Sequence, residues 1–356
     1  MKECQESLRG LPYDFRLEEA LEEVRRLKAK RIVLQLPDGL KQYSHVLYDC
    51  ITRALGGGAE VYIHADHVYG GCDLQYGQLL YSIKPDVILH VGHSPYPSYL
   101  SSKLVEPPGG LGVKVVYVPA VSRLEIPEIV LESLAEALRE RGIRRVGMST
   151  TSQHVEQARE VSRFLAERGF RVAPSRSMPP YFSDSQSLGC DYSMQRGLRV
   201  DGFVYVGGGV FHPLGLYLAT LKPVVKVDPY ESKVSDLTWE GEKLYRARLF
   251  RVSQAFEART WAVIVGLKTG QYRPWLVSSL RRELERRRRR YYMVASENLD
   301  RDSLASIDSP SIDAFVVTSC PRLPTDDYWD YHKPVLTPGE AFMALRGVLE
   351  PYRFPW

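Results

Sequence analysis

The 356-residue sequence has few cysteines, no long apolar run and little net charge. Its longest strongly apolar run, at 261–267, is far shorter than the ~20 residues that cross a bilayer. The first residues are charged and contain no apolar stretch, so we expect neither a signal peptide nor an anchor. A net charge of +4 is too small to indicate a nucleic-acid partner. We therefore predict a cytoplasmic protein with no membrane and no nucleic-acid partner.

The five cysteines are an odd and sparse set, which argues against a disulfide framework. Cys4 lies in the N-terminal tail. Cys50 lies in a helical stretch, where we expect a small buried side chain. The other three lie in loops that are rich in Gly or flanked by Pro: Cys72, Cys190 and Cys320. Their setting separates these three loop cysteines from the other two.

The same cassette of strands and helices occurs three times along the chain. Its clearest markers are the aspartates at the start of each third strand, Asp86, Asp201 and Asp313. Repetition at ~112 residues is too long for a solenoid and is typical of a triplicated domain. Continuous Val/Ile runs between helical stretches indicate buried parallel strands joined by βαβ crossovers.

These patterns predict an α/β protein of three repeated small Rossmann-like domains around a central site. Each domain should have a four-stranded parallel sheet and flanking helices. The predicted domains are residues 1–122, 123–233 and 234–356. Linkers are expected near 121–126 and 231–238, each leading into a long amphipathic helix. We interpret the five arginines at 286–290 as the solvated end of a helix, with a docking patch for an acidic partner as the alternative.

The three loop cysteines are predicted to meet at one edge of the sheets, where parallel sheets bind ligands. Cys72 and Cys190 follow second strands, and Cys320 follows a third strand. Three thiolates suit a soft metal centre. Structural zinc usually takes four ligands in short CxxC-type pairs, which this sequence lacks. A 4Fe–4S cluster held by three cysteines leaves one iron open to substrate. Three unrelated buried thiols are the alternative.

Four short stretches carry a resemblance to a known family: LQLPDGLK at 34–41, YGGCDL at 69–74, FHPLG at 211–215 and CPR at 320–322. In this order they resemble the archaeal diphthamide biosynthesis enzymes, the 2-(3-amino-3-carboxypropyl)histidine synthases, over essentially the whole chain. The resemblance implies that Cys72, Cys190 and Cys320 ligate a 4Fe–4S cluster, one from each domain, and that the protein is a homodimer. The family usually has Tyr-Gly-Ala-Cys in the first loop. Gly71 stands in place of that Ala, a change that we expect not to affect ligation.

The resemblance also implies a reaction. In that family, one electron from the reduced cluster cleaves the bond between sulfur and Cγ of S-adenosylmethionine. The 3-amino-3-carboxypropyl radical adds to C2 of a histidine of translation elongation factor 2, and methylthioadenosine is released. S-adenosylmethionine is therefore the expected substrate, and elongation factor 2 and an electron donor are the expected partners.

Several loop residues are candidates for binding the substrate. Lys268 and Arg322 suit its carboxylate, and Gly208 allows close approach of backbone. Asp38 could equally cap a helix, and His212 could have a structural role. The full predicted set is Gln35, Asp38, Gly39, Gly208, His212, Lys268 and Arg322.

Two other functions are compatible with three cysteines in three α/β domains. Quinolinate synthases have a similar plan, with a three-cysteine 4Fe–4S cluster that acts as a Lewis acid in a condensation and dehydration. A non-catalytic subunit with a structural or electron-transferring cluster is the second alternative. The YGGCD and FHPLG stretches favour the diphthamide family.

Overall fold

The structure, a computed structural model, describes residues 2–75, 77–97, 113–174 and 176–356, with side chains from residue 6 onward. It contains three α/β units in chain order, each built on one central sheet. The central strands of each sheet are buried and mostly apolar, and their alternate residues belong to two different clusters of buried side chains. In the first sheet, for example, Ile32 and Leu34 enter one cluster and Val33 enters another. Both faces of the sheets are therefore covered, as expected for parallel sheets.

The first unit has a four-stranded parallel sheet in the order β3-β2-β4-β5. A short pair, β1 with β6, lies outside this sheet. The elements are α1 (Lys2–Arg9), β1 (Tyr13–Asp14), α2 (Leu17–Arg26), β2 (Arg31–Gln35), a 3-10 helix (Asp38–Tyr43), α3 (Ser44–Ala54), β3 (Glu60–Ile63), α4 (Gly77–Ser82), β4 (Val87–Val91), β5 (Lys114–Val118) and β6 (Val121–Ser122).

The second unit repeats this strand order as β8-β7-β9-β10 and adds a fifth strand, β11, antiparallel to β10. The elements are α5 (Glu128–Glu140), β7 (Arg145–Thr150), a 3-10 helix (Ser152–His154), α6 (Val155–Glu167), β8 (Arg171–Val172), β9 (Gly202–Val206), α7 (Phe211–Thr220), β10 (Val224–Asp228) and β11 (Lys233–Asp236).

The third unit has the parallel order β13-β12-β14-β15. The elements are α8 (Thr238–Gln254), β12 (Thr260–Gly266), α9 (Pro274–Arg286), β13 (Arg290–Ser296), α10 (Arg301–Ile307), β14 (Ala314–Val317), a π-helical turn (Leu323–Asp327), β15 (Val335–Leu336) and α11 (Pro338–Arg346).

The three marker aspartates make the same contact in each unit. One carboxylate oxygen of Asp86 accepts the backbone N–H groups of residues 30 and 31, at the start of β2. Asp201 does the same for residues 144 and 145, and Asp313 for residues 259 and 260. Each aspartate thus joins the third strand of its unit to the first, which explains why the repeat is clearest at these positions.

The predicted α/β class and the repeated sheets are confirmed, but both predicted linkers contain a strand. The linker expected near 121–126 begins with β6, which pairs with β1. The segment predicted as a linker at 231–238 forms β11, so the second sheet has five strands and is mixed. Lys233–Asp236 pairs with the free edge of β10, which the sequence pattern did not indicate. This strand crosses the predicted boundary between residues 233 and 234. The exact domain boundaries stay predictions.

Two further sequence predictions can be compared with the structure. The arginines at 286–290 span the end of α9 and the start of β13, as the helix-end interpretation expects. The expectation of no disulfide was wrong for Cys50, which is disulfide-bonded within the core of the first unit. Pairing depends on proximity in space, and an odd cysteine count does not reveal it. In the described part of the chain, no helix is both long and apolar enough to cross a membrane.

Candidate metal centre

A cavity of about 1040 Å³ lies where loops of the three units meet, and it is lined by Cys72, Cys190 and Cys320. All three thiols are free. Cys72 follows β3, Cys190 lies in the long segment after β8, and Cys320 follows β14. The loops extend from the carboxyl ends of parallel strands, so the three cysteines converge at the edge predicted from the sequence.

Glycines allow two of these loops to pack closely. A Cβ atom at Gly71 would lie 2.3 Å from the carbonyl oxygen of Ser94, so this position next to Cys72 has no room for a side chain. Gly270 donates its backbone N–H to the carbonyl oxygen of Cys72 at 2.8 Å, and a Cβ there would lie 2.5 Å from Cys72 Cα. Backbone of the third unit therefore rests directly on the cysteine loop of the first.

Burial makes the free thiols weak acids. It raises the pKa of Cys72 and of Cys190 to about 12 and also raises the pKa of Cys320. The thiols also repel one another as thiolates, which adds to the shift at Cys72. Metal ligation requires the thiolate form, so a bound cation must supply the free energy that deprotonates these groups.

Each sulfur has one hydrogen-bonding neighbour of a different kind. The Gln271 side-chain amide donates to Cys72 Sγ at 3.6 Å. The backbone N–H of Arg322 donates to the sulfur of Cys320. The Tyr96 hydroxyl lies 3.3 Å from Cys190 Sγ. These donors suit sulfur atoms that carry negative charge.

The arrangement fits a polynuclear cluster better than a single ion. Within the described residues, no group of three or more His, Cys, Asp or Glu side chains is close enough to hold one metal ion. Three thiols around one cavity can instead ligate separate irons of a cubane, for which cysteine thiolate is the usual ligand. The donor set therefore fits a 4Fe–4S cluster.

Three of the seven residues predicted to bind substrate line this cavity: His212, Lys268 and Arg322. Burial lowers the pKa of His212 to about 4, so its ring is neutral at pH 7. Arg322 is half-exposed, and its Nε donates to Asp326 at 3.1 Å. The ammonium of Lys268 is buried against Asp73 at 2.6 Å, so its charge is already paired.

The other four predicted residues are not among those that line the cavity: Gln35, Asp38, Gly39 and Gly208. Asp38 binds the side chains of Lys41 and His67, and these hydrogen bonds lower its pKa. Asp38 is the first residue of its 3-10 helix and Pro37 is the N-cap, so the helix-cap alternative was wrong. Gly208 packs against the ring of Tyr230, where a Cβ would lie 3.1 Å from the ring.

Gln35 is instead the start of a buried chain of hydrogen bonds that leads to the cavity. Its Nε2 donates to the carbonyl of Gln75 at 2.5 Å, so its Oε1 must accept from His90 Nδ1 at 3.2 Å. His90 Nε2 then lacks a proton and accepts from His93 Nδ1 at 3.1 Å. Burial lowers the pKa of His93 to about 4, so its Nε2 is an unprotonated acceptor at neutral pH. His93 lines the cavity.

Four site residues were not identified as such from the sequence: Asp73, Tyr96, Gln271 and Arg273. Asp73 and Gln271 lie in loops that the strand pattern did place at the sheet edge. Tyr96 and Arg273 contact each other across 177 residues, and neither belongs to a local motif. No signal in a single sequence points to that pair.

The fold and the site define a class: α/β proteins of three repeated units with a three-cysteine centre between them. The family described as "Putative diphthamide synthesis protein" matches residues 36–353. The chain belongs to this diphthamide synthesis family.

Individual relatives extend over nearly the whole chain. A 2-(3-amino-3-carboxypropyl)histidine synthase of Pyrococcus horikoshii is 32% identical over 336 residues, covering 94% of this chain and 91% of the relative. Subunit 1 of the synthase of Encephalitozoon cuniculi is 30% identical and covers 96% of this chain and 92% of its own length. The crystal structure of Dph2 from Pyrococcus horikoshii with a 4Fe–4S cluster superimposes with a TM-score of 0.80 at 32% identity, over 96% of this chain and 94% of that one.

Proposed function

We propose that this protein transfers the 3-amino-3-carboxypropyl group of S-adenosylmethionine to C2 of a histidine of elongation factor 2, the first step of diphthamide biosynthesis. The observation that carries the proposal is the convergence of three free cysteines, one from each unit, on one cavity in a chain of this family. The relatives named as histidine synthases support the same reaction.

Cys72, Cys190 and Cys320 would hold a 4Fe–4S cluster as thiolates, as the cluster in the Pyrococcus horikoshii relative supports. When bound, such a cluster supplies the electron and the open iron for cleavage of the Cγ–S bond. The protein supplies the walls of the cavity, whose side chains would orient the substrate.

Some groups that line the cavity suit the carboxylate of an amino acid, and others suit its ammonium group. Arg322 is half-exposed at the site and can bind a carboxylate with charge-assisted hydrogen bonds. His93 Nε2 can accept a hydrogen bond from an ammonium group or from the N–H of an imidazole. His212 presents a second neutral ring. Lys268 holds Asp73 and the loop that carries Cys72 rather than the substrate.

The reaction requires a protein substrate, elongation factor 2, and an electron donor, and we propose that the enzyme works in the cytoplasm as a homodimer. The test is anaerobic reconstitution with counting of iron and sulfide, followed by reduction and addition of S-adenosylmethionine. We expect cleavage of S-adenosylmethionine to release methylthioadenosine. 5′-Deoxyadenosine as the main product would contradict the proposal. No cleavage by a loaded, reduced protein would favour a Lewis-acid dehydratase or an electron-transfer subunit.

Variants of the cysteines test the ligand assignment directly. Cys72→Ala, Cys190→Ala and Cys320→Ala should each lose most iron and all turnover while the sheets stay folded. Cys50→Ala is the control for iron content because Cys50 lies in the core of the first unit, away from the cavity lining; it removes a disulfide and should affect stability without affecting iron content. Normal iron content in any one of the three loop variants would show that the assignment is wrong for that residue.

A further inference from the structure

A buried arginine contacts Tyr96, Gln271 and Ser319, which line the cavity, and it has no acidic partner among the described residues. Arg273 is 1% exposed. One of its terminal nitrogens donates to the carbonyl oxygens of Gln271, Thr318 and Ser319, and the other donates to the hydroxyl of Tyr96 at 2.7 Å. No carboxylate is among its contacts in the described part of the chain. Burial of an uncompensated charge is costly, so a buried guanidinium of this kind is expected to face an anion.

The indole of Trp356 holds this arginine against the cysteine loop of the second unit. The guanidinium carbon lies 4.2 Å from the centre of the Trp356 ring. Trp356 Nε1 donates to the backbone carbonyl of Cys190 at 3.0 Å. The carbonyls of Thr318 and Ser319 belong to the loop that carries Cys320. The charge of Arg273 is therefore fixed between two of the three cysteine loops.

Tyr96 connects this charge to one sulfur in particular. A guanidinium has only donors, so the Tyr96 oxygen must accept from Arg273. Tyr96 can therefore donate its hydroxyl proton to Cys190 Sγ, which lies 3.3 Å from the Tyr96 oxygen. A metal-bound thiolate carries no proton, and the direction of this bond is then fixed: Tyr96 donates and Cys190 accepts. Withdrawal of electron density by Arg273 strengthens Tyr96 as a donor.

We propose that Arg273, acting through the Tyr96 hydroxyl on Cys190, raises the reduction potential of the 4Fe–4S cluster. Three thiolates and an oxidised cubane carry a net charge of −1, and one electron makes it −2. A buried cation and a donated hydrogen bond stabilise the more negative state, so reduction becomes easier. Both residues are positioning residues, since neither has to touch the substrate. This inference rests on the proposed function only for the presence of the cluster.

The experiment is a redox titration of the reconstituted protein followed by electron paramagnetic resonance of the reduced cluster. Y96F removes the hydroxyl and should lower the ratio of reduced to oxidised cluster about tenfold at a fixed solution potential, which corresponds to a fall of ~59 mV for one electron. Incorporation of 3-fluorotyrosine at position 96 makes the phenol a stronger donor with little change of shape. It should shift the potential in the opposite direction. A merely structural role for Tyr96 would not produce shifts of opposite sign.

Tyr192 provides a matched control. Its buried hydroxyl donates to the backbone carbonyl of His212 at 3.1 Å and not to a sulfur, although Tyr192 is only two residues from Cys190. Y192F should leave the potential unchanged. If Y96F does not retain iron, the fluorotyrosine protein decides, because it keeps the hydrogen bond. A wild-type potential in that protein would overturn the inference. Absence of iron and sulfide from the wild-type protein would instead reject the proposed function.

Discussion

Lys268 Nζ lies 2.6 Å from Asp73 Oδ2, and both side chains are almost completely buried. Asp73 follows Cys72 directly, and Lys268 lies in the loop after β12 of the third unit. The ammonium also lies 4.6 Å from the centre of the Tyr69 ring. This ion pair joins two units next to a cysteine of the candidate metal centre, so its role is to hold the cysteine loop in place.

Removal of one partner of this pair should destabilise the protein strongly. Lys268→Met leaves the Asp73 carboxylate buried without its counter-charge, and loss of ~3–5 kcal/mol is typical of such changes. We expect a lower thermal midpoint and faster loss of iron to a chelator. The control is Glu23→Gln, which breaks the exposed pair with Arg26 and should leave the midpoint unchanged. Equal midpoints for Lys268→Met and wild type would show that the pair does not stabilise this contact.

Gly71→Ala should also disturb the loop that carries Cys72. The new Cβ would lie 2.3 Å from the carbonyl oxygen of Ser94, so backbone next to Cys72 must shift. The family resemblance makes Ala the usual residue here, yet this structure has no room for it. We expect a loss of ~1–3 kcal/mol of stability and weaker retention of iron. Gly77→Ala is the control, because a Cβ at Gly77 meets no atom within 4 Å. Identical iron retention in both variants would contradict the prediction.

The disulfide at Cys50 predicts a redox-dependent stability that the cysteine count did not suggest. Cys50→Ala should lower the thermal midpoint in non-reducing buffer by an amount equivalent to ~2–4 kcal/mol. A strong reductant should lower the midpoint of the wild type by a similar amount and leave Cys50→Ala unchanged. A reductant effect of equal size in both proteins would show that the disulfide does not contribute. Mass spectrometry under denaturing conditions gives the oxidation state directly.

Buried neutral histidines should make the protein sensitive to mild acid. Burial lowers the pKa of His154 to about 4, whereas an unfolded histidine has a pKa near ~6.5. Between these two values the unfolded chain binds more protons, so stability falls as pH decreases from 6.5 to 4. Burial shifts the pKa values of His93 and His212 in the same direction. Each such histidine contributes up to ~1.4 kcal/mol per pH unit.

The contribution of His154 can be measured separately. Urea unfolding of the apoprotein at pH 7, 6 and 5 measures how much free energy of unfolding is lost as the pH falls. This loss should be smaller for His154→Gln than for the wild type. His45 is exposed on α3, so His45→Gln should keep the wild-type slope. If His154→Gln loses as much free energy of unfolding on acidification as the wild type, His154 does not contribute to the acid sensitivity.

Much of the fold was predictable because its signals are local. Buried strands such as β4 and β9 are continuous apolar runs, and the aspartates before them recur because each accepts the same two backbone N–H groups. Strand β11 was missed because Lys233–Asp236 is short and mostly polar, and only the free edge of β10 makes it a strand.

The candidate site was predictable to a smaller extent. The rule that parallel sheets bind ligands at their carboxyl edge placed the three cysteines together, but it also favoured Asp38 and Gly39, which do not line the cavity. Arg273 and Tyr96 depend on the packing of one unit against another. Contacts of that kind follow from the assembled fold and leave no pattern in a single sequence.

The histidine chain from Gln35 makes a prediction about protons that can be observed directly. The carbonyl of Gln75 fixes the Gln35 amide, the amide fixes the proton of His90 on Nδ1, and His90 fixes that of His93 on Nδ1. Nitrogen-15 chemical shifts of the apoprotein at pH 7 should therefore show both rings neutral and protonated at Nδ1. Gln35→Leu removes the acceptor for His90 and should give mixed tautomers at His93, with the sheet intact. His45, exposed on α3, should keep its own spectrum in that variant. A proton on His93 Nε2 in the wild type would mean that His93 presents a donor, and its proposed contact with a protonated group of the substrate would be wrong.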